Sequence, residues 1–289
     1  MKWLIAGADG QLGRSLAKAL KVRGIDFTPL ARKELDITDL SKVIEVVTNS
    51  DADIIVNAAA YTNVEQAELE PERAFLVNES GTRNLAIASR QNNSKFLHFS
   101  TDYVFSGQRS EPWKVDSLVN PLSVYGKSKL AGELAAQQEY RENSIIIRTA
   151  WLYSPYGKNF YKTMLNLALR NDEQIRVVSD QFGQPTNALD LANLAIESVI
   201  NEVPAGVYHG SNAGSTSWCD FAGQIFKLAG ADAGRVKAIP SAEFATKAPR
   251  PSYSVLDNTK WLDFKVEPLR PWQEAVSDAH ASIFDSMNK

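Results

Sequence analysis

Short apolar runs alternate with longer stretches in which apolar residues return every three or four positions, and this rhythm dominates the first half of the chain. Trp3 to Ala6, Ile25 to Leu30, Asp53 to Ala60, Lys95 to Thr101 and Ser144 to Tyr153 read as strands. Leu12 to Val22, Leu40 to Asn49, Pro71 to Gln91 and Ser123 to Arg141 read as the helices between them. Unbroken apolar runs such as Ile145-Ile146-Ile147 suit strands covered on both faces, and β-α alternation predicts an α/β fold with a doubly wound parallel sheet. Its connections are expected to be right-handed.

The rhythm breaks after residue 154. Gly157 to Asn171 reads as a helix, Ile175 to Asp180 as a strand, Leu189 to Asn201 as a helix and Gly206 to Ser211 as a short strand. Ser215 to Gly230 combines Ser/Thr capping candidates, an amphipathic helix and a terminal Gly. A Pro-containing loop over Ala248 to Lys260 and a helix starting near Pro271 complete the chain.

Composition narrows the classes. The chain has 289 residues, 44% apolar and 22% charged, with a formal net charge of −3, so nothing globally basic recruits nucleic acid or anionic lipid. Cys219 is the single cysteine, which fits a reducing compartment. No segment approaches the ~18 unbroken apolar residues of a membrane span, and the N-terminal apolar run is too short for a signal-peptide core. A cytoplasmic protein is the expectation.

Gly7, Gly10 and Gly13, three residues apart, stand between the first strand and the first helix. Such glycines permit a tight turn, close approach of backbone to a pyrophosphate and close strand–helix packing, while the helix N terminus supplies N–H donors. Strand before and helix after make the signal specific to a dinucleotide site on a Rossmann-type sheet. Residues 1–150 are thus predicted to form the dinucleotide-binding domain, with a return segment near 175–203. Residues 151–174 and 204–289 are predicted to form a smaller substrate-binding lobe closing over the carboxyl edge of the sheet. NAD sites place an acidic residue about 20 positions on, against the ribose 2′-OH. Arg32 and Lys33 occupy that region here, which favours NADPH; the neighbouring Glu34 leaves NADH open.

Thr101 ends the fourth predicted strand, where doubly wound sheets bind ligands. Tyr125 and Lys129 are i and i+4 on a predicted helix and so share a face. A neighbouring ammonium favours phenolate and lowers the tyrosine pKa, and a hydroxyl can bind the same substrate oxygen. Hydride reduction of a ketone generates an alkoxide, and this trio can supply its proton.

With these residues the chain resembles the extended short-chain dehydrogenase/reductase family. The strings "NAAAYTNVEQAE", "STDYVFSG", "NPLSVYGKSKLAGE", "RTAWLYSPYGKNF" and "DQFGQPT" are similar to its dTDP-4-dehydrorhamnose reductase branch. The resemblance implies NADPH-dependent reduction of the 4-keto group of dTDP-4-dehydro-L-rhamnose. It places Gln11, Leu12 and Gly13 on the pyrophosphate, Asp36 and Ile37 beside the adenine, and Ala58, Ala59 and Ala60 against the nicotinamide-side ribose. Thr101 would orient the keto group, Tyr125 donate the proton, and Lys129 bind the ribose hydroxyls and tune Tyr125. Val64, Asp102 and Trp151 would lie near the sugar, with Asn159, Gln184 and Arg250 as further pocket candidates. Trp151 could offer an apolar wall, and Arg250 a bidentate contact to a diphosphate.

Ser15 and Leu189 stand where some bacterial members carry glutamates associated with magnesium at a dimer contact. This argues against magnesium and leaves a monomer or another kind of homodimer open. Two alternatives keep the same fold: a reductase or epimerase for another nucleotide sugar, and a non-catalytic NADP-binding regulatory subunit. His98, His209 and His280 show no metal-ligand spacing, and His98 reads as a core residue of its strand.

Overall fold

The computed structural model describes residues 1–170 and 173–287, so Asn171, the last residue of one predicted helix, lies outside the described residues. Its centre is a six-stranded, all-parallel sheet. In chain order the first half contributes β1 (Lys2–Ala6), α1 (Gln11–Val22), β2 (Asp26–Leu30), α2 (Leu40–Ser50), β3 (Ile54–Asn57), α3 (Val64–Ala67), α4 (Pro71–Phe75), α5 (Gly81–Gln91), β4 (Lys95–Thr101), α6 (Val124–Tyr140) and β5 (Ser144–Thr149). The second half contributes β6 (Leu152–Tyr153), α7 (Phe160–Arg170), β7 (Ile175–Val178), β8 (Phe182–Gly183), β9 (Thr186–Asn187), α8 (Ala188–Ile200), β10 (Gly206–His209), β11 (Thr216–Ser217), α9 (Trp218–Leu228), β12 (Val236–Ile239) and α10 (Trp272–Met287).

The central order is β10-β5-β4-β3-β1-β2. From β1 the chain first moves outward to β2 and then crosses back to β3 on the other side, so the order reverses between β1 and β3. Ligands of open α/β sheets bind at the carboxyl ends of the strands at such a reversal. Two apolar layers cover the sheet. Leu12, Leu16 and Leu20 of α1 pack with Leu191, Leu194 and Ile196 of α8 on one face. Val43, Val47, Leu85 and Ala136 cover the other. A separate core of Tyr153, Tyr161, Phe221, Phe226 and Trp272 holds the smaller lobe together.

The polar pattern explains the helix ends at the site. Ser123 caps α6 by accepting from the Gly126 N–H at 3.1 Å, which fixes the first turn and with it Tyr125. Within α6, Glu133 receives a bidentate contact from Arg148 of β5, at 2.9 and 2.7 Å, with both side chains buried. This pair ties α6 to the sheet.

The structure departs from the sequence pattern at four places. The run predicted as one strand to Tyr153 stops at Thr149, because Trp151 adopts φ +43°, a left-handed conformation that cannot continue a ladder. The third strand stops at Asn57, whose side chain accepts from the Ala59 N–H at 3.1 Å and turns the chain. A π-turn over Leu76–Ser80 interrupts the long helix between α4 and α5. Finally, two strands exchange their expected lobes: Gly206–His209 joins the central sheet beside β5, whereas Ile175–Val178 pairs with β12 in the small lobe. Hydrophobic pattern identifies a strand but not its partner. Of the predicted return segment, α8 does pack on α1.

Removing Glu133 leaves the Arg148 guanidinium buried and uncompensated. Glu133→Ala is therefore expected to lower stability by about 3–5 kcal/mol, read as the shift in the urea-unfolding midpoint.

Candidate active site

A cleft of about 580 Å³ opens along the carboxyl ends of β1, β3, β4 and β5, and a second cavity of about 250 Å³ adjoins it through Asp9, Gly10, Ala58, Ala59 and Ala60. Together they form one groove from the β2 turn to the small lobe. Gly7 adopts φ +81°, and a Cβ there would come within 2.5 Å of the Ala59 nitrogen, so only glycine lets the first loop approach the third strand this closely. A Cβ on Gly13 would lie 2.3 Å from the Gly7 carbonyl; Gly13 packs helix against loop and does not line the groove. No side chain caps α1, so its first N–H groups remain available beside Gly10, Gln11 and Leu12 at the cleft.

Arg32, Asp36 and Ile37 line the adjoining cavity, and Arg73 adds a second cation there. Asp36 accepts from both the Thr38 N–H and hydroxyl, which hold its carboxyl below the usual range, with Arg32 at 3.7 Å reinforcing the effect. Glu34 folds back to accept from the Ala31 N–H at 2.7 Å and does not line the cavity. Lys33 is exposed and lines neither space, so of the two predicted cations only Arg32 is placed at the groove. Arg73 escaped sequence reasoning because helix α4 meets the β2 turn only in the folded sheet.

Thr101, Asp102, Tyr125 and Lys129 line the cleft together. The Thr101 hydroxyl donates to Asp102 Oδ1 at 3.0 Å, and Lys129 donates to the Phe99 carbonyl at 2.6 Å. Burial raises Asp102 to about 6 and Tyr125 to about 12; for Tyr125, a hydrogen bond with Thr101 opposes the rise and the charge of Asp102 adds to it. Burial lowers Lys129 to about 8, against the attraction of Glu133. The phenol is raised, opposite to the lowering expected from an adjacent ammonium, because burial dominates. His98 is buried, pairs through Nδ1 with Asn57, and is held neutral by burial and by Lys129.

Val64, Trp151, Asn159 and Arg250 also line the cleft. Trp151 stacks on Trp218 at 3.5 Å between ring centroids, and Gly183 leaves the space beneath it that a Cβ would fill. Trp218 had no sequence signal: it is one of several tryptophans and reaches the site only through the fold of the small lobe. Asn159 donates to Gln11 Oε1 at 2.8 Å and to the Ser154 carbonyl at 2.9 Å, while its oxygen caps α7 through the Lys162 N–H. The side chains of Gln11 and Asn159 therefore join the glycine loop to the small lobe. Gln184 does not line the cleft; it is buried and bridges Leu256 and Ser211. Asn57 and Asn78 likewise bind buried protein groups, including the Ala59 and Tyr61 N–H.

The groove suits a phosphorylated dinucleotide. It has an uncapped helix N terminus, three consecutive alanines at the β3 end, arginines at the far end, and buried Ser100 and Thr149 hydroxyls without protein partners on its wall. Among the described residues no group of three or more His, Cys, Asp or Glu could hold a metal ion, and no helix is long and apolar enough to cross a membrane.

Residues 1–284 match the model of the family described as the RmlD substrate binding domain. The chain is 41% identical to a dTDP-4-dehydrorhamnose reductase of Streptomyces griseus, over 98% of this chain and 94% of that one. It is 39% identical to a dTDP-4-keto-6-deoxy-D-glucose reductase of Streptomyces niveus, over 96% of each. The crystal structure of dTDP-4-dehydrorhamnose reductase from Bacillus anthracis in complex with NADP superposes with a TM-score of 0.93 at 38% identity, over 97% of this chain and 98% of that one.

Folding must desolvate Asp102. Its carboxyl is raised from 3.8 to about 6, so ionisation disfavours the native state, starting near pH 4 and fully above about 6. Asp102→Asn, which can still accept from Thr101, should raise stability at pH 7–8 by on the order of 1–3 kcal/mol, and the gain should vanish toward pH 4. Urea unfolding of both proteins across this range checks the sign.

Proposed function

The chain belongs to the RmlD substrate-binding-domain family, and from that premise we propose that it reduces the 4-keto group of dTDP-4-dehydro-L-rhamnose to give dTDP-L-rhamnose, using NADPH. The observation that carries the reading is that Thr101, Tyr125 and Lys129 share one wall of a groove that continues to the N terminus of α1 and to Arg32. NADPH supplies a hydride when bound. Arg32 and Arg73 would hold its 2′-phosphate, the first N–H groups of α1 its pyrophosphate, Ala58 to Ala60 the nicotinamide-side ribose, and Lys129 the ribose hydroxyls.

Tyr125 acts as the acid. A phenol raised to about 12 stays protonated at neutral pH, and an alkoxide is more basic still, so the proton moves to the sugar oxygen. Thr101 orients that oxygen, and the Lys129 ammonium offsets the charge left on the tyrosine. Trp151, backed by Trp218, forms the apolar wall for the deoxysugar. Arg250 lines both the cleft and a further cavity of about 360 Å³ beyond Trp218, which suits the diphosphate and nucleoside. Cys219, partly buried and single in the chain, suits a reducing compartment, and we place the reaction in the cytoplasm.

NADPH oxidation with dTDP-4-dehydro-L-rhamnose tests the reading. Tyr125→Phe should lose about 10²–10⁴-fold in rate; turnover near the wild-type value would remove Tyr125 from the role of acid. The rate should also fall as pH rises through about 8, where Lys129 loses its charge, well before Tyr125 could ionise near 12. A pH profile flat to 9.5 would separate Lys129 from catalysis.

A further inference from the structure

One carboxylate joins the segment that carries Arg250 to the larger lobe. Glu65 of α3 accepts from the Lys247 N–H at 2.7 Å and the Ala248 N–H at 3.3 Å through Oε2, and from the Arg250 guanidinium at 2.9 Å through Oε1. Among the described residues, the side-chain hydrogen bonds of 245–250 all end on this group. Residues 242–247 are exposed, with little packing of their own. The segment is also held by Ser241, which binds Asp180, by the Glu243–Arg176 ion pair, and by Ser252, which donates to the Gly107 carbonyl at 2.9 Å. Between Glu243 and Ser252, Ala248 and Pro251 are buried, and Glu65 is the group that fixes the direction of the Arg250 guanidinium.

The other end of α3 meets the catalytic helix. Asn63 caps α3 through the Gln66 N–H, and Glu68 accepts from the Val124 N–H at 2.8 Å, at the first residue of α6 and next to Tyr125. One short helix thus carries two carboxylates: Glu68 on the start of α6 and Glu65 on the Arg250 segment. Arg250 Nη2 is engaged by Glu65, whereas its Nε is buried with no protein partner. That leaves a donor of a fixed guanidinium for an anion at the cleft.

We propose that Glu65 is a positioning residue for the nucleotide-sugar diphosphate: it holds the 245–250 segment over the cleft and orients Arg250, so that the anion meets a guanidinium already in place. This rests on the reading of Arg250 as a diphosphate ligand. Glu65 lines neither the cleft with Tyr125 nor the adjoining cavity with Arg32. Its loss should weaken substrate binding and leave the chemical step and cofactor affinity alone.

The NADPH-loaded Glu65→Ala and wild-type chains are compared by three measurements: calorimetric titration with dTDP, steady-state KM and kcat, and the rate of tryptic cleavage after Lys247. Glu65→Ala should lose on the order of tenfold or more in dTDP affinity and raise KM by a similar factor, with kcat changed less than about threefold and NADPH affinity unchanged. Cleavage at Lys247 should accelerate about tenfold as the segment opens more often. Glu65→Gln keeps an acceptor for the Lys247 N–H but not the charge, and should recover part of the tryptic protection. Unchanged dTDP affinity and KM in Glu65→Ala overturn the proposal, whatever the tryptic result. If wild type fails to turn over the keto-sugar while Glu65→Ala still weakens dTDP binding and opens the segment, the reaction assignment falls and the positioning role stands.

Discussion

The near-contact of the first loop with the end of β3 is the constraint on which the site depends. Gly7 sits where a side chain would collide with the Ala58–Ala59 backbone, and Gly13 where one would collide with the Gly7 carbonyl. These two approaches bring the N terminus of α1 beside three small residues at the point where strand order reverses. A groove long enough for a dinucleotide follows from that arrangement. Its far end is the β2 turn with Arg32, and its near end is the β4 terminus with Thr101. Widening the Gly7 contact by one Cβ would separate the loop from β3 and move phosphate-binding groups relative to the catalytic wall.

Burial sets the protonation pattern on that wall. A phenol near 12, a carboxyl near 6 and an ammonium near 8 are each displaced toward the neutral form by desolvation. In such surroundings charge–charge effects are strengthened, so a partner brought into the groove has more influence on Tyr125 than it would in water. The protein alone keeps Tyr125 as an acid. On the proposed mechanism, the phenolate left by proton transfer is the species that needs the ammonium, so Lys129 would act after the step rather than before it.

Legibility in the sequence follows the range of each interaction. Gly7, Gly10, Tyr125 and Lys129 are local: a loop between strand and helix, and an i, i+4 pair on one helix face, carry their meaning within a few residues. All six central strands were legible as strands, five of them as apolar runs between amphipathic helices. The pairing of β10 with β5 was not, because Val207-Tyr208-His209 identifies a strand without naming its neighbour. Trp151 was placed near the site, yet the φ +43° turn that ends its strand has no local signal in "RTAWLY". Arg73, Trp218 and the separation of Arg32 from Lys33 required the tertiary fold. Asn159 lines the cleft, and the partners of its polar atoms (Gln11, Ser154 and the start of α7) also required the tertiary fold.

Asn159 and Glu65 also show how the two lobes meet. Each lobe has its own apolar core, while several contacts around the groove between them are made by single polar side chains: Gln11 with Ser154 and Asn159 on one side, Glu65 with 247–250 on the other. A polar contact costs less to break than a continuous apolar interface, because water satisfies both partners when it opens. The groove can therefore admit large phosphorylated ligands without disturbing either core. Oε1 and Oε2 of Glu65 have separate partners, so their directions fix both the backbone at 247–248 and the Arg250 guanidinium. With Arg250 as the proposed diphosphate ligand, binding strength for the distal part of the substrate would be set as much by how well those partners hold Arg250 as by Arg250 itself.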